Sequence, residues 1–386
     1  MKTMYSRNFA ILLVVLLSLS ALTILNVKQV KAQNSEIIYI KEEGNIEGTN
    51  KIQQTGSTYY FLEDIAGIIY VNKNNITIDG NNHKLQSESK TGIIISETEN
   101  VTIKNMQIIS CSYGIKLSSS SNNNIVRNTI SSNTKDGIFL ESSNNNNIEN
   151  NKISNNGNGI VIGSISNRNS IIGNTIENNG FGIFLWDSSS NKIKNNKIIS
   201  NRHGGVYLNP SSNNIISENN ITNQVESIRL VSTSRFNNII GNNFTNTDFC
   251  VYLGSAANNN IIYHNNFMAT LLQVDCYSTF NIWDNGSLGN YWIDYDGLDT
   301  NGDGVGDSPY VIDDNRTDNY PLMAPYVTAE VTVPSFPSPS IEPTPQVTKE
   351  SLLTPTNIIA TISIITVAGL GIFAYFKKNK RNTKNE

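Results

Sequence analysis

The clearest chemical motif is an Asp- and Gly-rich segment close to the end of the chain's long polar body. Its candidate metal ligands stand at alternate positions: Asp299, Asn301, Asp303, Val305 (through its carbonyl) and Asp307. Ca²⁺ prefers about six to eight oxygen ligands on a flexible, glycine-bent loop. The spacing matches the first half of a helix–loop–helix calcium loop, although Tyr310 replaces the bidentate glutamate of that motif. We therefore predict a structural calcium site, with a plain Gly/Asp turn as the alternative.

A second candidate site consists of side chains that recur along the sequence with a fixed step. Strand residues alternate between two faces, so apolar inward positions define the outward ones. The outward residues and their neighbours that predict a ligand-binding face are Phe139, Phe184, Trp186, Asp187, Tyr207, Arg229 and Tyr252. Aromatic faces stack on sugar rings, and exposed apolar patches mark contact sites. Carbohydrate is the predicted ligand; the alternative is that the rings only pair across strands.

The sequence gives weaker support for catalysis. A glycosidase needs two carboxylates at a defined separation. Asp136 and Asp187 stand more than two repeats apart, about 10 Å along a stacked axis, and would cooperate only from the same face. No catalytic residue is assigned. The leading prediction is non-catalytic binding of carbohydrate or a surface protein; the alternatives are a cell-wall polysaccharide hydrolase or lyase, and a structural envelope spacer.

The element that must position these residues is a repeat with a step of 22 or 23 residues. Asparagine recurs with this step at Asn82, Asn105, Asn128, Asn151, Asn174, Asn196, Asn219, Asn242 and Asn265. Apolar residues keep the same step, in alternating runs that are too short for helices and typical of strands. We predict an all-β, right-handed parallel β-helix of about nine coils, with equivalent strands stacked about 4.8 Å apart.

Three features carry a family resemblance: the Asn-Asn-x-Ile-x-x-Asn-x-Ile coils, the segment 75–80, and an ending that runs through 289–292, 299–307 and 318–322. With these features the chain resembles the NosD-like parallel β-helix proteins, also described as carbohydrate-binding and sugar-hydrolysing repeats. The ending is similar to that of archaeal-type surface proteins. The resemblance covers about residues 36–325. It implies a β-helix with a sugar-related function.

The resemblance also raises the question of copper, which the family handles in the periplasm. Copper prefers soft or imidazole ligands. The available donors are widely spaced in the sequence: His83, His203, His264, Met268, Cys111, Cys250 and Cys276. No copper site is predicted.

Both ends of the chain carry membrane patterns. Residues 1–32 are predicted to be a signal peptide, with a basic start, an apolar run and a small-x-Ala cleavage site. Residues 357–376 are predicted to form a transmembrane helix, and the basic tail 377–386 should stay in the cytoplasm. The Pro/Ser/Thr-rich segment 327–356 is a predicted stalk. This topology predicts a single-pass protein of the cell membrane with an extracellular body.

The body divides into an N-terminal cap with the first strands (33–74), the repeats (75–282) and a C-terminal cap containing the calcium-type loop (283–326). Two sequons outside the repeats, at Asn285 and Asn315, are predicted glycosylation sites. The chain has a formal net charge of −4, and the part between signal peptide and tail is at about −12. Such an acidic body disfavours nucleic acid. The predicted partners are the membrane and a glycan or surface-layer protein.

Overall fold

The computed structural model describes residues 35–327 of the chain. The predicted signal peptide, the stalk from residue 328 onward, the transmembrane helix and the basic tail all lie outside the described residues. Between residues 35 and 327 there is no helix that is long and apolar enough to cross a bilayer.

The described chain winds into a parallel β-solenoid of about ten turns, which confirms the predicted all-β stack of parallel coils. Each regular turn contributes one strand to each of three faces, named A, B and C below. Equivalent residues lie directly over one another. On face B, for example, Ile125 is paired with Ile148 of the next turn, and Ile148 is paired with Ile171.

Face A contains the strands Glu36–Ile40, Ile65–Val71, Ile93–Ser96, Ile115–Ser118, Asp136–Glu141, Asn158–Gly163, Phe181–Trp186, Gly204–Asn209, Glu226–Leu230, Phe249–Leu253 and Leu272–Cys276. Face B contains Thr58–Phe61, Thr77–Asp79, Thr102–Lys104, Asn124–Val126, Asn147–Glu149, Ser170–Ile172, Lys192–Lys194, Ile215–Ser217, Asn238–Ile240 and Ile261–Tyr263. Face C contains Lys84–Gln86, Gln107–Ile109, Thr129–Ser131, Lys152–Ser154, Thr175–Glu177, Lys197–Ile199, Asn220–Thr222, Asn243–Thr245, Asn266–Met268 and Tyr291–Trp292.

Four further strands lie at the two ends. Ile46–Glu47 pairs antiparallel with the first strand of face A, and Ile52–Thr55 forms a hairpin with Thr58–Phe61. Near the C-terminal end, Tyr310–Asp313 and Arg316–Asp318 form an antiparallel hairpin. The end of the core is closed by stacked aromatic rings, because the Trp292 ring lies 4.2 Å from the rings of both Phe267 and Tyr310.

The core consists of columns of β-branched and other aliphatic side chains, which pack well on the pleated inner surface. In the strand of face A that runs from Asp136 to Glu141, Ile138 and Leu140 point inward and are fully buried. Gly137 also faces the interior, because a Cβ there would lie 2.8 Å from the Gly159 carbonyl oxygen and 2.9 Å from the Ile153 side chain. Because Gly137 and Ile138 both face the interior, the preceding residue, Asp136, lies on the outer surface.

Buried asparagines line the bends between strands and form ladders. The long ladder consists of Asn128, Asn151, Asn174, Asn196, Asn219, Asn242, Asn265 and Asn290. Asn151 donates its backbone N–H and its Nδ2 to the Oδ1 of Asn174, at 2.9 and 3.0 Å. Its Nδ2 also donates to the Ile125 carbonyl at 2.8 Å. These bonds satisfy the amide groups, which explains how so many polar side chains are buried.

The first two asparagines of the recurring series, Asn82 and Asn105, lie outside the ladder. Each bend contains a residue with left-handed dihedrals followed by an inward ladder residue, as in Arg127 (φ 54°) and Asn128. Asn82 and Asn105 occupy the left-handed position, with φ of 63° and 52°. Met106 is the position equivalent to Asn128, and its N–H donates to Asn128 Oδ1 at 3.1 Å.

The long ladder ends on a buried carboxylate that the sequence analysis did not single out. Asp318 Oδ2 accepts bonds from the Asn290 N–H at 2.7 Å, from Asn290 Nδ2 at 3.3 Å and from Trp292 Nε1 at 2.9 Å. All amides of the ladder point their NH₂ groups toward this end. Aligned dipoles favour a negative charge at their positive end, as at a helix N-terminus.

Candidate carbohydrate-binding face

One turn of face A has small outward side chains and lies between two turns with large ones. We call the solenoid turn that contains the strand Asn158–Gly163 the low turn. The outward residues of this strand are Asn158, Val161 and Gly163. The neighbouring outward residues are Asp136, Phe139 and Glu141 on one side, and Phe181, Phe184 and Trp186 on the other. Val161 is only 6% exposed, because the flanking rings cover it. The low turn is therefore covered by the rings of the turns on either side.

Trp186 stands at the edge of the low turn and is the most accessible aromatic residue of the predicted set, at 51% exposure. A Cβ on Gly163 would lie 3.4 Å from Trp186 Cε3, an ordinary van der Waals distance, so the indole lies over the Gly163 backbone. Within residues 35–327 this indole stacks on no other ring. Asp187 follows it and is exposed, and Asn209 pairs with Trp186 on the next strand.

The other predicted aromatic residues are engaged with one another along the stack. The Phe184 and Tyr207 rings lie 5.0 Å apart and are inclined by only 15°, and the Phe139 ring stacks on Tyr113 at 5.5 Å. Cross-strand stacking of this kind stabilises the sheet. The stacked rings direct their faces toward one another and their edges toward solvent. The aromatic ring face that is open to solvent is therefore that of Trp186.

Two cations lie among the outward residues of face A, and each is paired with its own acid. Lys116 Nζ is 2.9 Å from the Glu141 carboxylate, and the hydrogen bond from Lys116 lowers the pKa of Glu141. The Arg229 guanidinium is 3.0 Å from the Glu226 carboxylate and lies 4.5 Å from the centre of the Tyr252 ring. Arg229 and Tyr252, both predicted to bind the ligand, therefore contact each other in one cluster beside Tyr207.

Asp136 lies on the outward side of its strand, yet it is largely buried, at only 9% exposure. Its Oδ1 accepts a hydrogen bond from Asn158 Nδ2 at 2.8 Å. Burial raises the pKa of Asp136, and the bond from Asn158 and the charge of Lys135 oppose this shift. Asp136 and Asp187 share face A, but they lie at opposite ends of its strands. The register between Asp136 and Asn158 follows from the repeat step, whereas the burial of Asp136 could not be deduced from it.

We expect the substitution Asp136→Asn to stabilise the body at neutral pH. Because the folded-state pKa of Asp136 is raised, the folded state binds a proton more tightly than the unfolded state. Wild-type stability should therefore fall as the pH rises above the ordinary carboxyl pKa of 3.8 and through the folded-state pKa of Asp136. Thermal unfolding should show a gain of about 2 °C for Asp136→Asn at pH 7, shrinking toward pH 4. A variant less stable than wild type at pH 7 would contradict this expectation.

The predicted calcium loop forms a compact turn held by its own carboxylates. Asp299 Oδ1 accepts from the Gly302 N–H at 2.7 Å, and its Oδ2 accepts from the Gly304 N–H at 2.9 Å. Asp307 Oδ2 accepts from the Thr300 N–H at 2.8 Å, and hydrogen bonds from Thr300 lower the pKa of Asp307. Within residues 35–327 no group of three or more His, Cys, Asp or Glu side chains is arranged to share a metal ion. Calcium binding stays a prediction.

The calcium prediction has a direct test. If the loop binds Ca²⁺, a concentration of about 100 times the Kd should stabilise the body by about 2.7 kcal/mol, since the ion would bind the folded state alone. Differential scanning calorimetry with Ca²⁺ and with a chelator measures this, and Asp303→Asn should weaken the effect while Glu99→Gln, at an exposed acid in the repeats, should not. Identical melting in Ca²⁺ and chelator would contradict the prediction. The sequon residues Asn285 and Asn315 are both exposed, and their glycosylation also stays a prediction.

These features define an elongated parallel β-solenoid with an outward aromatic face. The sequence matches the profile of the family described as periplasmic copper-binding protein (NosD) over residues 6–203 and again over residues 166–297. The chain therefore belongs to the NosD family, as its coils predicted. Comparison with curated proteins gave no match.

Several solved structures are similar to this chain. They include the periplasmic alginate epimerase AlgG (19% identity, covering 56% of this chain and 51% of that chain, TM-score 0.42). Alginate lyase from Paenibacillus sp. str. FPU-7 is 14% identical (56% of this chain, 90% of that chain, TM-score 0.42), and the Dettilon tailspike protein is 17% identical (64% and 62%, TM-score 0.46). The chain thus spans about half the length of AlgG.

The copper named in the family description can be tested against the donors in the described chain. His83 lies 3.5 Å from the Asp64 carboxylate, the His203 ring packs on Phe181 at 5.5 Å, and the His264 ring stacks on Tyr326 at 4.4 Å. Cys111 and Cys250 are buried in the core as free thiols, and burial raises the pKa of both. Cu ions favour convergent imidazole and thiolate ligands. These dispersed donors do not fit a copper centre.

Proposed function

We propose that this protein is a membrane-anchored surface protein whose β-solenoid binds carbohydrate, without catalysis, on face A around Trp186. The observation that carries the proposal is the isolated, half-exposed indole of Trp186 beside the low turn. Membership of a periplasmic family supports a body outside the cytoplasm. The anchor and the single-pass topology rest on the apolar and basic patterns of the two termini.

The surroundings of Trp186 suit a sugar ring. An exposed indole offers a large rigid surface that loses little conformational entropy on binding. Asp187 and Asn209 lie beside it and can accept or donate hydrogen bonds to hydroxyl groups. We call the exposed indole of Trp186 the platform, because a sugar ring would pack on its open face.

We expect Trp186→Ala to weaken binding of the cognate oligosaccharide by about 10- to 100-fold, the loss typical of removing an aromatic contact of about 1–3 kcal/mol. Isothermal titration calorimetry measures this directly. The matched control is Phe280→Ala, which removes an exposed ring from outside the central turns of face A and should leave the affinity unchanged. Equal affinities for wild type and Trp186→Ala would show that the Trp186 indole does not contribute to carbohydrate binding.

A second function, hydrolysis or lyase cleavage of a polysaccharide, is favoured by one observation. A buried carboxyl with a raised pKa suits a general acid, and Asp136 is such a group on the same face as Trp186. Release of reducing or unsaturated ends from wall polysaccharide, lost in Asp136→Asn, would establish this alternative. Binding without release by wild type would support the non-catalytic proposal.

A further inference from the structure

We infer that the ligand of face A is a neutral glycan and that polyuronates and other polyanions are excluded. This inference rests on the proposed carbohydrate-binding function and names the ligand class of the same site. Three observations carry it: the state of the cations on face A, the charge closest to Trp186, and the charge of the whole body.

The two cations on face A that could bind the carboxylate of a uronic acid are each already paired with an acidic side chain. Lys116 and Arg229 lie in one outward column of face A, three turns before and two turns after the strand of Trp186. At the usual strand spacing they are about 15 and 10 Å from it along the axis, within the span of a short oligosaccharide. Lys116 is paired with Glu141 at 2.9 Å, and Arg229 with Glu226 at 3.0 Å. Each pair presents no net charge to a ligand.

The cations at the margins of face A lie outside its outward columns. Lys135 Nζ lies 4.9 Å from the centre of the Tyr113 ring, which engages it in a cation–π contact. Arg168 and Arg202 are in the bends that flank face A, outside its outward columns. His203 packs against Phe181.

The charge next to the platform is negative. Asp187 directly follows Trp186 and is exposed. Residues 35–327 carry 28 acidic and 18 basic side chains, a net charge of −10. A polyanion approaching this body is repelled at long range, and at the platform it finds a carboxylate and no unpaired cation in the outward columns of the described face. Sugar hydroxyls, in contrast, can donate hydrogen bonds to Asp187 while the ring packs on Trp186.

The first arm of the test compares ligands. Glycan-array or calorimetric binding of the body should favour neutral chains such as β-glucan or chitin oligosaccharides over alginate and polygalacturonate by at least tenfold. The affinity should be nearly independent of salt between low and physiological ionic strength. Preference for a polyuronate, with affinity that falls steeply as salt rises, would overturn the inference and leave the proposed function intact. Absence of binding to every glycan would overturn both.

The second arm asks whether the ion pairs are what excludes anions. The double variant Glu141→Gln, Glu226→Gln frees Lys116 and Arg229 and should gain at least tenfold in affinity for polygalacturonate at low salt. Screening should abolish this gain at high salt. The matched control also carries Lys116→Gln and Arg229→Gln, which remove the freed cations, and it should show no gain. A double variant that binds polygalacturonate no better than the control would overturn this explanation of ligand class.

Discussion

Asn196→Ala is expected to lower the free energy of unfolding by about 4 kcal/mol, since each unsatisfied buried polar group costs about 1–3 kcal/mol. Asn196 Oδ1 accepts from the N–H and Nδ2 of Asn174 at 2.9 and 3.0 Å. Its Nδ2 donates to Asn219 Oδ1 at 3.0 Å and to the Ile171 carbonyl at 2.9 Å. Truncation removes these four bonds and a fifth, from Nδ2 to the Lys194 carbonyl at 3.1 Å, in the middle of a stack where water cannot replace them.

Chemical or thermal unfolding measures this loss. The control is Lys197→Ala, one residue away on the exposed side of face C, which should change stability by no more than about 0.5 kcal/mol. Hydrogen exchange should place the damage in the turns next to Asn196, because in a solenoid each repeat contacts mainly its neighbours. If Asn196→Ala and Lys197→Ala were equally stable, the ladder would have no role in holding the bends.

Asp318→Ala is expected to cost a similar amount, about 4 kcal/mol, for a different reason. Asp318 accepts bonds from the backbone and side chain of Asn290 and from the indole of Trp292, so its removal orphans donors at the buried end of the long ladder. Asp318→Asn keeps one acceptor oxygen and should lose about half as much.

The exposed neighbour Asp314 is the control for this second substitution, because Asp314→Ala removes a carboxylate of the same cap without a buried partner. The melting temperature is the primary measurement. Fluorescence of Trp292, which is 1% exposed in the intact cap, should report early opening of the C-terminal end in Asp318→Ala. Melting of Asp318→Ala at the temperature of Asp314→Ala would show that the ladder needs no terminal acceptor.

The stack could be predicted from sequence because its physics is periodic. Isoleucines such as Ile125, Ile148 and Ile171 recur with the step of one turn, and that step is enough to place them over one another. Asn82 and Asn105, which keep the repeat step but lie outside the ladder, show the limit of this reasoning. A bend contains two adjacent positions with opposite roles, and Asn suits both: the left-handed position of Asn105 and the buried ladder position of Asn128.

The candidate site was predictable only in part. Strand alternation correctly placed Phe139, Phe184 and Tyr207 on one outward column. Whether such rings stack or stay open depends on their neighbours, and here the small residues of the low turn leave Trp186 as the open face. The role of Asp318 could not be predicted, because an irregular cap of many residues separates it from the last ladder asparagine and no periodicity spans that gap.

The most direct test of carbohydrate binding on face A uses the tryptophans of the protein. Of the three, Trp283 and Trp292 are 2% and 1% exposed, whereas Trp186 is 51% exposed. Acrylamide quenching of the fluorescence therefore reports mainly on Trp186. Saturation with a neutral oligosaccharide should protect the fluorescence from acrylamide, and the protection should vanish in Trp186→Ala. Binding that leaves the quenching of wild-type protein unchanged would place the ligand elsewhere and contradict the account.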